Sequence, residues 1–181
     1  SQVTANSTSI PVTLLSTPLC IDPKGNEGLN PQKTDPTNPL YSLDKQQSSL
    51  VYYDKNTIVL TMPYWVKVTN SSVEDSEVKK HSFVLSYDPE AMTASDTKLK
   101  LYISHVVEDA GETVTRSNFT YAYRAYSIRA ALAAFKEKTG KLPKYLELTA
   151  EINNSKDELV DKDGKETSVE RSVEYDYAFT E

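Results

Sequence analysis

"SLVYYDKNTIVLTMPYWVKVT", residues Ser49–Thr69, decides the fold. Tyr, Val, Ile, Leu and Trp dominate it, and the apolar side chains recur with period two, the mark of strands with one buried face. Asp54-Lys55-Asn56 reads as a turn cluster. With Pro63 as a second break, the stretch predicts three strands, "SLVYY", "TIVLTM" and "YWVKVT". The period continues downstream. "HSFVLSY" (His81–Tyr87) is a further strand, and "KLKLYISHVV" (Lys98–Val107) places Leu99, Leu101, Ile103 and His105 on one side. "EDAGET" (Glu108–Thr113) reads as a hairpin turn around Gly111, with a returning strand over Val114 to Tyr121. Tyr145 to Ile152 alternates cleanly, with Leu146, Leu148, Ala150 and Ile152 inward. In the last stretch Val169, Val173, Tyr175, Tyr177 and Phe179 share a face, after a hairpin turn at Asp161-Lys162-Asp163-Gly164.

One segment breaks the period. Ile128, Ala131, Leu132 and Phe135 fall at helical spacing within an alanine-rich run. Lys136 and Lys138 suit its last turn, Gly140 its C-terminal cap, and Pro143 prevents continuation. The spacing predicts a helix over about 124–138, starting between Tyr123 and Ser127. Strands that follow one another through short turns pair as hairpins. The expected fold is therefore mainly β: an antiparallel β-sandwich or barrel of about eight strands with one inserted helix.

Upstream the character changes. Residues 1–48 hold six of the nine prolines, which forbid a helix. They also carry Ile10, Val12, Leu14, Leu40 and Leu43, more apolar side chains than a solubilising tail needs. Residues 1–48 are read as an extended arm that becomes ordered on a neighbouring subunit, and 49–181 as the β-rich domain.

Composition narrows the functions. The chain has 181 residues, comfortable for one domain. The net charge of −6 argues against general nucleic-acid binding, which needs a surplus of Lys and Arg. No apolar run approaches the roughly 18–20 residues that span a bilayer. Tyr supplies twelve of the aromatics, a bias that suits strands and contact surfaces. Cys20 is the only cysteine, so an intramolecular disulfide is excluded. The preceding Leu15-Ser16-Thr17-Pro18-Leu19 lacks the small residue expected before a lipidated cysteine, and Cys20 reads as an idle thiol. The Asn-x-Ser/Thr triplets at Asn6, Asn70, Asn118 and Asn153 are no more than this composition supplies by chance.

No catalytic, cofactor or metal constellation emerges. Asp161-x-Asp163-Gly164 with Glu170 partly imitates a calcium loop, but Leu159 occupies the first ligand position and the flanks read as strands. His81 and His105 are the only histidines, and His105 reads as a buried structural residue. No Gly-x-Ser-x-Gly elbow or Walker-type loop is present. Glu174 and Asp176 approach the carboxylate spacing of an inverting glycosidase, yet they lie on a solvated strand face.

Charge is unevenly distributed. Residues 116–145 carry seven bases against one acid, whereas 151–181 carry ten acids against four bases. Such polarity suits head-to-tail contacts between identical subunits. The leading expectation is a non-enzymatic structural subunit of a self-assembling homo-oligomer, of virion, phage-tail, capsid-accessory or surface-filament type. Its contacts would run through Ile10, Val12 and Leu14 of the arm and Arg124, Arg129 and Lys136 of the basic region. Its partners would be copies of itself or other structural proteins of the same assembly, without nucleic acid, cofactor, metal or membrane insertion, on a virion or extracellular surface. The alternative is an extracellular β-sandwich module that recognises a glycan or protein, with Trp65 and the Tyr126 region as its natural contact residues, although Trp65 reads better as core.

Overall fold

A computed structural model describes residues 38–109, 114–155 and 168–179. Among these residues, seven strands and two helices run in the order β1 (Leu50–Asp54), β2 (Thr57–Val66), α1 (Asp75–Val78), β3 (His81–Ser86), β4 (Lys98–Val107), β5 (Asn118–Ser127), α2 (Arg129–Thr139), β6 (Tyr145–Ile152) and β7 (Val169–Asp176). They form a three-stranded sheet, β1-β2-β5, and a four-stranded sheet, β3-β4-β6-β7. Neither sheet closes on itself, so the fold is sandwich-like and the barrel alternative is excluded.

Periodicity places the core. Ile58, Leu60, Met62, Tyr64 and Val66 of β2 point inward, as do Leu99, Leu101 and Ile103 of β4 and Leu146, Leu148 and Ala150 of β6. Ile128, Ala131, Leu132 and Phe135 add the apolar stripe of α2 to this core. Gly140 ends that helix in the left-handed conformation, φ 75°, and its N–H reaches the Lys136 carbonyl.

Several expectations are corrected. The helix begins at Arg129 rather than near 124, because Arg124 to Ser127 continue β5, pairing with Leu60 to Thr57 of β2. The hairpin expected between β4 and a returning strand does not form: β4 lies between β3 and β6, and β5 joins the other sheet. The turn proposed around Gly111 falls mostly outside the described residues, as does that at Asp161–Gly164. β4 and β6 are parallel, in register from Lys98↔Tyr145 to Ile103↔Ala150, while the remaining strand pairs are antiparallel. Pro63 does not divide β2, which runs unbroken through it. The Thr61 N–H reaches the Ser49 carbonyl, so the N position of Pro63, two residues on, faces the same side, where β1 has already ended. The Pro63 carbonyl on that side accepts from Tyr41 instead.

Tyr41 belongs to the end of the proline-rich lead, which is built into the core. Leu40 is 1% exposed and Leu43 4%. The Leu40 N–H donates to the Glu151 carbonyl, Asn153 N–H donates to the Leu40 carbonyl, and Asn38 N–H reaches the His105 carbonyl. Asn38–Tyr41 thus stitches β2 of one sheet to β4 and the end of β6 in the other.

Candidate functional site

The register of the three-stranded sheet assigns its two faces. Ile58, Leu60, Met62 and Tyr64 are inward, so the alternate residues Val59, Thr61, Pro63 and Trp65 face outward. Their partners on β5 are Ala125, Tyr123, Tyr121 and Phe119. An outward strand face is ordinarily polar. Here it carries Phe119, Tyr121 and Tyr123 in succession, with Phe119 41% and Tyr121 39% exposed.

At the Phe119 end the rings enclose a cleft. The Tyr41 ring stacks on Phe119, with centroids 4.1 Å apart and planes 11° apart, and meets Trp65 edge-on at 5.0 Å. Tyr41 is held there by its backbone bond to Pro63. Trp65 is buried beneath it, and its indole N–H donates to the Asn153 carbonyl at 2.7 Å. Tyr41, Trp65 and Phe119, together with Ser117, Asn118 and Asn154, line an open cleft of about 330 Å³. Among the described residues, none that lines the cleft is charged. The side-chain polar groups on offer, besides the engaged indole N–H, are the hydroxyls of Tyr41 and Ser117 and the amides of Asn118 and Asn154, which can donate and accept. The cleft is equipped to bind through flat apolar faces and neutral hydrogen bonds.

A second cluster is buried and ionic. Arg116 clamps Asp109 through Nη1 and Nη2, each at 2.7 Å, and its Nε donates to Glu77 Oε1 at 2.7 Å. The Lys67 N–H donates to the same Glu77 oxygen at 2.9 Å. From Glu77 a line of contacts runs inward: His81 Nε2 at 3.2 Å, then His81 Nδ1 to His105 Nε2 at 2.9 Å, then His105 Nδ1 to the Pro39 carbonyl at 3.4 Å. Two neutral imidazoles supply two ring protons for these three contacts. The charge-assisted contact to Glu77 and the short one between the rings take them, so His81 donates to Glu77 and His105 to His81. The rings stack at 5.1 Å, and His105 also stacks on Phe83 at 4.8 Å.

Burial holds His81 below the ordinary histidine value against the pull of Glu77, and takes His105, beside His81, down to about 3. Burial pushes Glu77 up, but Lys67 N–H, Arg116 and His81 more than offset it and leave the carboxyl below its usual range. Arg116 is the main cause holding Asp109 down at about 2. This cluster fastens the Pro39 segment, α1, β3 and β4 together. His105 is the buried structural residue that its strand face predicted.

Of the residues proposed for self-association, Arg124, Arg129 and Lys136 lie among the described residues. Ile10, Val12 and Leu14 lie outside the described residues. Arg124 is half-buried, its guanidinium 5.3 Å from the Phe83 ring, and donates to the Tyr123 carbonyl. Arg129 and Lys136 are exposed on α2, two turns apart. Tyr126, named as a contact residue, is instead core: it is 4% exposed and its hydroxyl donates to the Phe83 carbonyl. Glu174 pairs with Lys98, which also holds Glu147, so that carboxylate belongs to a surface ion cluster. Among the described residues no group of three or more His, Cys, Asp or Glu side chains could hold a metal ion. Also among them, no helix is long and apolar enough to cross a membrane.

Sequence reasoning named Trp65 and missed Tyr41, Phe119, Asn118 and Asn154. A signal for Phe119 was present: in "NFTYAYRAYS" three aromatics occupy alternate positions where a polar outer face is expected.

The fold is shared with a candidate lipoprotein from Bacteroides fragilis, whose crystal structure matches 86% of this chain and 72% of that chain at 26% identity, with a TM-score of 0.65. An uncharacterized protein from Parabacteroides merdae is more distant, at 12% identity over 85% of this chain and 67% of its own, with a TM-score of 0.47. No protein-family model and no curated protein matches the sequence.

Proposed function

We propose that this protein is a non-catalytic, surface-displayed β-sandwich binding module that engages its partner through the outer face of the β1-β2-β5 sheet. The observation that carries this reading is the row of Phe119, Tyr121 and Tyr123 on a face where solvation favours polar side chains, ending at the Tyr41–Trp65 cleft. Exposed aromatic area of this kind typically marks an interaction site. The surface location is supported by the likeness to the Bacteroides fragilis candidate lipoprotein, since a lipoprotein is held at a membrane surface by its acyl chains. The test is binding of the full chain to arrays of immobilised glycans and extracellular proteins, alongside the Phe119→Ala/Tyr121→Ala variant. Wild-type binding that the double variant loses, with its circular dichroism unchanged, is the expected result. Binding that survives the double substitution overturns the assignment of this face.

A second reading, the self-assembling subunit of a filament or virion, draws on a different observation. β1 is an edge strand in the sheet formed by the described residues, and its Val51 and Tyr53 are 58% and 80% exposed. Such an edge is a template for strand addition from another copy, for which Ile10, Val12 and Leu14 are the candidate donors. Light scattering on the full chain and on residues 38–181 separates the readings: assembly that needs residues 1–37 favours the subunit.

A further inference from the structure

We infer that the Tyr41–Trp65–Phe119 cleft takes an uncharged saccharide. This rests on the binding-module reading and names the ligand class for one end of its surface. Three features lead to it. First, the aromatic walls are fixed before any ligand arrives. Tyr41 is wedged between the Phe119 and Trp65 rings and tied to β2, and Trp65 is pinned through its indole N–H. Pre-set rings avoid the ordering cost of each side chain that binding would otherwise immobilise. Trp65, buried with its indole N–H already satisfied, backs the wall, and Phe119 is the exposed ring.

Second, the polar complement is neutral and two-way. Ser117, Asn118 and Asn154 each donate and accept, whereas among the described residues no Lys, Arg, Asp or Glu lines the cleft. A sugar ring matches this pairing: its C–H face is apolar and carries slight positive charge, suited to the negative face of an aromatic ring. Its hydroxyls, like those of the cleft, both donate and accept. An anionic sugar or a nucleic acid would find no cation among the described residues of the cleft, within a chain of net charge −6. A peptide strand seeks a row of backbone partners, and here the polar groups are side chains.

Third, the size fits. A cavity of about 330 Å³ stands at the lower end of small-ligand sites, which run from about 300 to 1,000 Å³. It accommodates a chain end or a short oligosaccharide, and Phe119 in its wall is 41% exposed. From there Tyr121 and Tyr123 continue along β5, offering a path for the remainder of a longer chain.

Trp65 is the only tryptophan, so its emission reports on the cleft without a label. The full chain is titrated with neutral gluco-, manno- and galacto-oligosaccharides of two to six units, and separately with oligogalacturonate and a sialylated trisaccharide. At least one neutral series is expected to shift the Trp65 emission saturably. Phe119→Ala is expected to weaken that binding at least tenfold, and Asn154→Asp, which puts a carboxylate into the cleft without changing its shape, severalfold. Near-UV circular dichroism checks that both variants stay folded. Response to the anionic sugars alone, or to none of these sugars, overturns the inference. The outer-face reading falls separately, if the Phe119→Ala/Tyr121→Ala variant keeps the partners found on the arrays.

Discussion

His105 concentrates the energetics of single residues in this protein. It is 2% exposed, one contact from His81 and two from Glu77, and Pro39 lies against its far nitrogen. Both histidines titrate below the unfolded value of 6.5 because burial disfavours the imidazolium, His105 at about 3. The facing charges are Glu77, Arg116 and Asp109: the carboxylates favour the imidazolium and Arg116 opposes it, but desolvation dominates. A depressed histidine means that the unfolded chain binds protons before the folded one does. Stability is therefore intact above about pH 6.5 and declines as pH falls toward 3, by up to about 1.4 kcal/mol per pH unit from His105, with His81 adding to the loss. Glu77 and Asp109, held low in the fold, extend the loss below about pH 4. Urea melts at pH 7, 6, 5 and 4 measure this, and His105→Gln is expected to flatten the decline between pH 6 and 4. A wild-type slope near zero there would show that the imidazoles are not buried neutral.

At the scale of elements, α2 and β5 divide a segment that reads both ways. "AYRAYSIRAALAAF" contains alanines throughout, and the helix could begin at several of them. What sets the boundary is cross-strand pairing: Tyr126 opposite Ile58 and Arg124 opposite Leu60 bury a face that a helix would turn away from β2. Helix propensity differs by only a few tenths of a kcal/mol between most residues, so packing decides. The other end of α2 is set locally. Gly140 has φ 75°, and a Cβ placed on it would meet nothing within 4 Å. Gly140→Ala therefore costs only the left-handed backbone strain, about 1 kcal/mol. Differential scanning calorimetry should show a fall of about 2–4 °C in Tm. A much larger loss would reveal a steric role that the open space around Gly140 denies.

For the molecule as a whole, the decisive feature is that Asn38–Leu43, the end of the lead, closes the sandwich. Leu40 and Leu43 are in the core, and the backbone of Asn38–Tyr41 is bonded to strands of both sheets. Leu40→Ala is expected to cost about 2–5 kcal/mol, the range for a fully buried leucine. A chain starting at Asn38 keeps these contacts and is expected to melt cooperatively. One starting at Ser49 loses both leucines and the stitching, and is expected to bind a hydrophobic dye and lose its near-UV signal. If the shorter chain folds as well as the longer, the stitching is dispensable.

Local chemistry alone specified the strands and the C-terminal end of the helix. Period-two burial and glycine capping act over a few residues, so β6 is read at its observed bounds and the inward side of His105 is correct. Which strands pair depends on contacts between residues far apart in the chain. The expected hairpin between β4 and β5 therefore gave way to the two-sheet arrangement, in which β4 pairs in parallel with β6. The candidate cleft is non-local in the same sense. Tyr41, Trp65, Phe119 and Asn154 come from four separate parts of the sequence, and each is unremarkable there. Only folding, by setting the lead across β2 and the end of β6 beside the start of β5, brings their rings and amides together.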